Sequence, residues 1–135
     1  MTRRPRDGVR PDRCPCLSGL TFDDCCAPIL SGQRRAGTAE ALMRSRFTAF
    51  ALGDRDHLLA SWHPRTRPES LDLDDGLQWY RLDVEEISGG SPFDTTGEVT
   101  FTAYYRTGAA RGTLHECSRF ERYDGRWVYV DGVVS

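Results

Sequence analysis

The sequence predicts an α+β domain preceded by a small cysteine-rich segment, and three observations carry this. Four of the five cysteines crowd into "CPCLSGLTFDDCC", residues 14–26. Apolar residues then recur at helical spacing after Thr38, and from residue 77 onward their period changes to two. Helices first and antiparallel strands after them define an α+β domain with its helices on one sheet face. A chain of 135 residues holds one such domain plus an appendage too small to build its own core.

Taken in order, residues 1–13 combine five arginines with Pro5, Gly8 and Pro11 and are expected to be a disordered arm. No apolar core or small-residue cleavage site follows the arginines, so a secretory signal is not expected, and the default compartment is the cytoplasm. Residues 14–37 are short of large apolar side chains and are broken by Gly19, Pro28, Gly32 and Gly37, so this segment needs an external staple. Residues 38–135 are the domain. In "TAEALMRSRFTAFALGD", Thr38 is a suitable N-cap, Glu40 sits in the first turn, and Ala39, Leu42, Met43, Phe47 and Phe50 form the apolar stripe before Gly53. Asp54 caps a second helix, "RDHLLASW", expected to stop near His63 because Pro64 disfavours helical geometry before it. "PESLDLDDG" is a short helical turn or a loop. Four strands follow: "LQWYRLDVEEI", "GEVTFTAYYRT", "TLHECSRFERY" and "RWVYVDGVV", the last two joined by a hairpin at Asp124-Gly125.

Charge is unevenly spread. Residues 1–37 carry seven arginines against four aspartates, and residues 38–135 carry eleven arginines against sixteen acids. A metal held by four thiolates would remove most of the leader's positive excess, so strong nucleic-acid binding is not predicted. No apolar run approaches the roughly 20 residues a bilayer-spanning helix needs.

The cysteines are spaced C-x-C, eight residues, then C-C. Three readings compete: a metal site, two disulfides, or unpaired thiols. A disulfide between adjacent cysteines is strained, whereas both sulfurs reach one ion after a backbone turn, and reduced thiols suit the cytoplasm. A metal ion bound by Cys14, Cys16, Cys25 and Cys26 is therefore preferred. Four thiolates fill a tetrahedral shell, so that ion is structural, and its binding is coupled to folding of the leader.

Cys14-Pro15-Cys16-x-Ser18-Gly19 followed by Cys25-Cys26 resembles the SEC-C motif. "AEALMRSRFTAF", "WHP", "HECSRF" and "GRWVYVDG" are similar to the YchJ family of small bacterial proteins, in which that motif precedes a domain similar to nuclear transport factor 2 and the SnoaL cyclases. The resemblance implies Zn2+ at Cys14, Cys16, Cys25 and Cys26, and a cone in which a curved antiparallel sheet wraps the helices. It also implies a cavity in the cone, and pairing of copies through the open sheet face. Two positions depart from the pattern: Leu17 stands where Gly is usual, and Asp23-Asp24 replace a commonly basic pair.

Outside the cysteines, Arg46 points along the apolar stripe and is either snorkelling at the core edge or lining the cavity. Trp62 and His63 lie at the end of the second helix, where a cation complements the helix dipole. Alternation puts His115, Cys117 and Arg119 on one face of their strand and Glu116 and Ser118 on the other. Cys117 reads as a packing residue, because same-strand neighbours are about 7 Å apart and cannot make a nucleophile–base contact. Arg46, Trp62, His63, His115 and Arg119 are the candidate pocket. The preferred function is a non-catalytic adaptor that docks a protein partner through the zinc knuckle. The alternative is a small-molecule binder or enzyme using the cavity.

Overall fold

The structure is a computed structural model and describes residues 11–74 and 76–135. Three helices, α1 (Ala27–Leu30), α2 (Ala39–Leu52) and α3 (Arg55–Ala60), precede four strands: β1 (Gln78–Gly89), β2 (Thr96–Thr107), β3 (Ala110–Tyr123) and β4 (Arg126–Val134). The strands form one antiparallel sheet in the order β1-β2-β3-β4, with α2 packed across one face. This is the α+β architecture the period change predicts.

The helix boundaries follow the capping chemistry. Thr38 accepts a hydrogen bond from the Ala41 amide at 3.0 Å, and α2 ends on Gly53 at φ +78°, a left-handed cap that glycine adopts without strain. Asp54 accepts from the His57 amide at 3.0 Å to start α3. That helix stops at Ala60, earlier than the expected His63. The Ser61 amide already closes on the His57 carbonyl, and the Tyr129 amide then takes the Ser61 carbonyl at 2.8 Å. The His63 amide donates to the Tyr129 carbonyl at 2.7 Å, so the chain leaving α3 runs along β4 instead of continuing the helix. Residues 68–74 form a loop with no helical turn.

Register shifts between Trp79 and Arg81, Val84 and Glu86, and Arg119 and Phe120 mark bulges that bend the strands and sharpen their twist. The resulting concave face receives Leu42, Met43 and Phe47 of α2 against Val99, Phe101, Ala103, Phe120 and Trp127. The start of α2 is pinned by a close approach. The Ala39 amide donates to the Gly90 carbonyl, and a Cβ on Gly97 would lie 2.6 Å from the Gly90 Cα. The β3–β4 turn has positive φ at both Asp124 and Gly125, as a two-residue hairpin of this twist requires.

The disordered arm expected over 1–13 lies, for residues 1–10, outside the described residues. Asp12 and Arg13 join the knuckle: the Asp12 carbonyl accepts from the Phe22 amide at 3.0 Å, and Arg13 bridges Thr21. No helix among the described residues is long and apolar enough to cross a membrane.

Under α2, His57 supplies a pH handle. The Ser45 hydroxyl gives its proton to the Leu42 carbonyl, so its oxygen accepts from His57 Nε2, 2.9 Å away. Burial holds the imidazole at about 4, with nearby Arg46 pushing the same way against Asp54. An unfolded histidine titrates near 6.5, so between those values only the unfolded chain gains the proton. The contribution is complete above about pH 6.5 and is lost as pH falls towards 4, to a total of about 3 kcal/mol. Thermal melts from pH 7 to 4 are expected to show this loss in the wild type and to lack that component in His57→Gln.

Candidate metal centre and ligand cavity

The knuckle forms because a short hairpin and a helix start converge. The Cys14 amide donates to the Leu20 carbonyl and the Leu17 amide to the Cys14 carbonyl, both at 3.0 Å, which folds residues 13–21 back on themselves. Leu17 sits at φ +63°, a left-handed position that costs a branched side chain about 1–2 kcal/mol and explains why Gly is usual there. A turn through Thr21–Cys25 then leads into α1, whose N-cap is Cys26 and whose first turn carries Pro28. This short helix is set by Pro28 after a tight turn. Its four residues are too few to give a periodic signal in the sequence.

The Sγ atoms of Cys14, Cys16, Cys25 and Cys26 all lie within 4.8 Å of one another. Cys16 and Cys25 are 3.7 Å apart, and Cys25 and Cys26 are 3.9 Å apart. Sulfurs at about 2.3 Å from a common tetrahedral ion are separated by about 3.8 Å, so the donor set fits a thiophilic divalent cation. A disulfide needs about 2.05 Å, and all five cysteines are free. Without an ion, the sulfurs compete for protons. The neighbouring Cys14 and Cys26 thiols favour the charged form of Cys16 and hold it far below the usual thiol range. Cys14, its proton engaged by Cys16, is pushed up to about 11, and Cys26 is raised further by the same neighbours and by burial. Cysteine binds a metal as the thiolate, so metal uptake at this cluster releases protons.

The outer contacts come from α2. Thr48, fully buried, donates to Cys26 Sγ at 3.3 Å and lies 3.7 Å from Cys14 Sγ. Arg44 donates through Nη1 to the Cys16 carbonyl at 2.8 Å while pairing with Glu40. Ser18 Oγ stands 3.2 Å from Cys25 Sγ. Cys14, Cys16 and Cys26 belong to the same apolar cluster as Ala39, Leu42 and Phe47. The knuckle is thus built into the domain rather than held beside it.

On the other flank of α2, a cavity of about 230 Å³ opens between the helix and the concave sheet face. Phe47, Phe50, Trp79, Phe101 and Phe120 give it aromatic walls, and Arg46, Glu116, Ser118, Trp62 and Tyr129 supply its polar atoms. Of the five sequence-predicted pocket residues, Arg46 and Trp62 line it. Arg46 is 6% exposed and does not snorkel. His63 is buried elsewhere: its Nδ1 accepts from the Arg65 amide and its ring packs on Tyr123. His115 and Arg119 are turned to the outer sheet face. His115 contacts Glu85 at 3.1 Å and Ser135 Oγ at 2.8 Å, and Arg119 pairs with Asp131 at 2.6 Å. Cys117, on that same face, contacts Glu98 and not His115.

The alternation along β3 is as expected, but the face that lines the cavity is the opposite one, carrying Leu114, Glu116, Ser118 and Phe120. The signal was present in the sequence: Leu114 and Phe120 share the parity of Glu116 and Ser118, and apolar residues mark the face that meets the core. Glu116 and Tyr129 are the functional candidates that residue-by-residue reading missed. Glu116 Oε2 accepts from Ser118 Oγ at 2.7 Å and from the Tyr129 hydroxyl at 3.2 Å. Burial, then the Glu116 charge, raises the Tyr129 phenol, which stays protonated as a donor.

A concave antiparallel sheet over helices, entered through a four-cysteine knuckle, defines an NTF2-like domain with an N-terminal SEC-C motif. Residues 38–132 match the family description "YchJ, middle NTF2-like domain", residues 10–28 match the SEC-C motif, and the chain belongs to this YchJ-like family. Relatives include a UPF0225 protein of Corynebacterium efficiens, 55% identical over 123 residues, covering 91% of this chain and 94% of that protein. A UPF0225 protein of Streptomyces coelicolor is 54% identical over 119 residues, covering 88% and 93%. Among solved structures, the SEC-C motif containing protein RPA3114 of Rhodopseudomonas palustris is similar with a TM-score of 0.80 and 36% identity, covering 90% of this chain and 98% of that one. A SEC-C motif containing protein of Psychrobacter arcticus gives 0.73 and 25%, covering 94% and 84%.

Proposed function

We propose that this protein is a small-molecule binder of the cytoplasm whose ligand occupies the cavity, with Zn2+ at Cys14, Cys16, Cys25 and Cys26 as a structural ion. One observation carries the reading. Arg46 lines the aromatic-walled cavity with only its Nη1 hydrogen-bonded, leaving the guanidinium Nε and Nη2 without an acceptor among the described residues. Leaving a buried donor unmade costs about 1–3 kcal/mol, a penalty relieved when an occupant brings an acceptor. Zinc is favoured for the ion because four thiolates in a closed tetrahedral shell suit it and leave no position for a reacting water. The adaptor reading has less support. The knuckle exposes Leu17 and Leu20, two side chains rather than the several hundred Å² that mark a protein-docking patch.

Benzamide is a suitable probe, because it is flat, neutral and carries a carbonyl acceptor. Added to ¹⁵N-labelled protein, it is expected to shift the Trp62 indole resonance saturably. Ala103→Leu, which extends a side chain into the cavity from β2, should abolish that shift while the protein still melts cooperatively. An unmoved Trp62 resonance, or the same response in the blocked variant, rejects the reading.

A further inference from the structure

Arg46 is the least expected residue in this core, and its bonding is incomplete. Its Nη1 donates to the Leu58 carbonyl at 2.8 Å and to Ser61 Oγ at 2.7 Å. The guanidinium carbon lies 4.4 Å from the Tyr129 ring centroid and 4.9 Å from that of Trp62, so two aromatic rings take up part of the charge. Nε and Nη2 have no acceptor among the described residues, and no carboxylate there pairs with Arg46. Glu116, which shares the cavity, does not close the gap. Ser118 and Tyr129 hold its Oε2, and the side chain folds over Gly132, where a Cβ would collide with it. The one carboxylate on the cavity wall thus spends its Oε2 on other partners and acts on Arg46 through its field alone, with no hydrogen bond between them.

A buried cation with no hydrogen-bonded anionic partner beside an open volume is a poor structural device, because desolvation disfavours it and only two ring faces and the more distant Glu116 offset its charge. It is a good recognition device. A guanidinium presents a planar fork that matches a carboxylate with two parallel hydrogen bonds. Here the fork is pre-oriented by Leu58 and Ser61 among residues that line the cavity. The remaining wall is aromatic and suits a flat apolar body. The volume, below the roughly 300 Å³ at which drug-sized pockets begin, keeps that body small. Glu116 repels a second negative charge and accepts from a donor on the far end.

Resting on the small-molecule reading above, we infer that the occupant is a small aromatic or alicyclic monocarboxylate, its carboxylate read by Arg46 and its body packed on the aromatic wall. The geometry supports binding and implies no covalent step.

The test compares benzoate with benzamide, which share shape and differ in charge, by titration at pH 7 against the Trp62 indole resonance. Benzoate is expected to bind at least tenfold more tightly than benzamide. Arg46→Met should remove that preference while benzamide binding persists. Trp62→Phe, followed through the Trp79 indole, should weaken both probes and keeps the test decisive if the Arg46 variant does not fold. Equal affinities for the two probes in the wild type would overturn the carboxylate assignment and leave the small-molecule reading standing. If neither probe binds, both fall.

Discussion

Stripping the metal with a strong chelator under reducing conditions will disorganise α2 as well as the knuckle. The reason lies in where the cysteines sit. Cys14, Cys16 and Cys26 are each 2% exposed or less and pack in one cluster with Ala39, Leu42, Met43 and Phe47. Four thiols at these separations cannot all ionise without a cation, and as thiols they lack the bonds that keep them together. Structural zinc contributes an apparent 10–16 kcal/mol to small folded sites, comparable with the 5–15 kcal/mol by which a whole domain is stable. Hydrogen exchange of the apo protein should therefore show lost protection over residues 12–30 and over the N-terminal two-thirds of α2, with a fall in melting temperature of 15 °C or more. Persistence of α2 protection at the metal-loaded level would make the knuckle an independent appendage and reject the shared-core account. Thr48→Val isolates the contact between the two parts. The change is nearly isosteric and removes only the hydroxyl that donates to Cys26, so metal affinity measured by chelator competition should drop 10- to 100-fold, and Thr48→Ser should restore it.

That coupling marks the boundary of what the sequence discloses. Caps, periods and turns are local, so Thr38, Gly53, Asp54 and Asp124-Gly125 are read correctly from their neighbours alone. The cysteine spacing is local too, and the four sulfurs meet as it suggests. Where Thr48 and Arg44 make their second contacts is not local. Both lie on α2 as ordinary polar residues, and only the docked fold shows that one reaches Cys26 and the other the Cys16 carbonyl. The pocket shows the same limit in a different form. Period two separates the two faces of β3 without saying which one is inside. Weighting His115 and Arg119 for their chemistry selects the solvated face, where each is already satisfied by a neighbouring carboxylate. Giving more weight to Leu114 and Phe120 selects the other face and, with it, Glu116. Arg46 was legible as an anomaly on an apolar stripe. Its lack of an anionic partner was not, because that depends on how Ser118, Tyr129 and Gly132 restrain Glu116.

Replacing Arg46 with methionine will leave the unliganded protein as stable as the wild type or more so, a sign that separates a recognition residue from a structural one. Burying a guanidinium costs several kcal/mol, and its two rings return about 0.5–2 kcal/mol each. Methionine keeps the unbranched reach and makes sulfur contacts with Trp62 and Tyr129 while carrying no charge to desolvate. Of the groups Arg46 leaves behind, Ser61 Oγ still donates to the His57 carbonyl at 2.7 Å, while the Leu58 carbonyl loses its donor at a cost that offsets part of the gain. Exchanges of buried charge for apolar volume run from neutral to about 4 kcal/mol stabilising, so urea denaturation of Arg46→Met should give a change between about −1 and +4 kcal/mol. A loss of 3 kcal/mol or more would mean that the fold needs the cation, and the case for an anionic occupant would lose its premise. The acid limb offers a second check. Arg46 helps to hold His57 at about 4, so its removal lets that imidazole accept a proton nearer the unfolded value and flattens the stability loss between pH 6.5 and 4. A variant that is no less stable at neutral pH, less acid-sensitive and indifferent to benzoate would show that the wild type retains a costly buried charge for its ligand.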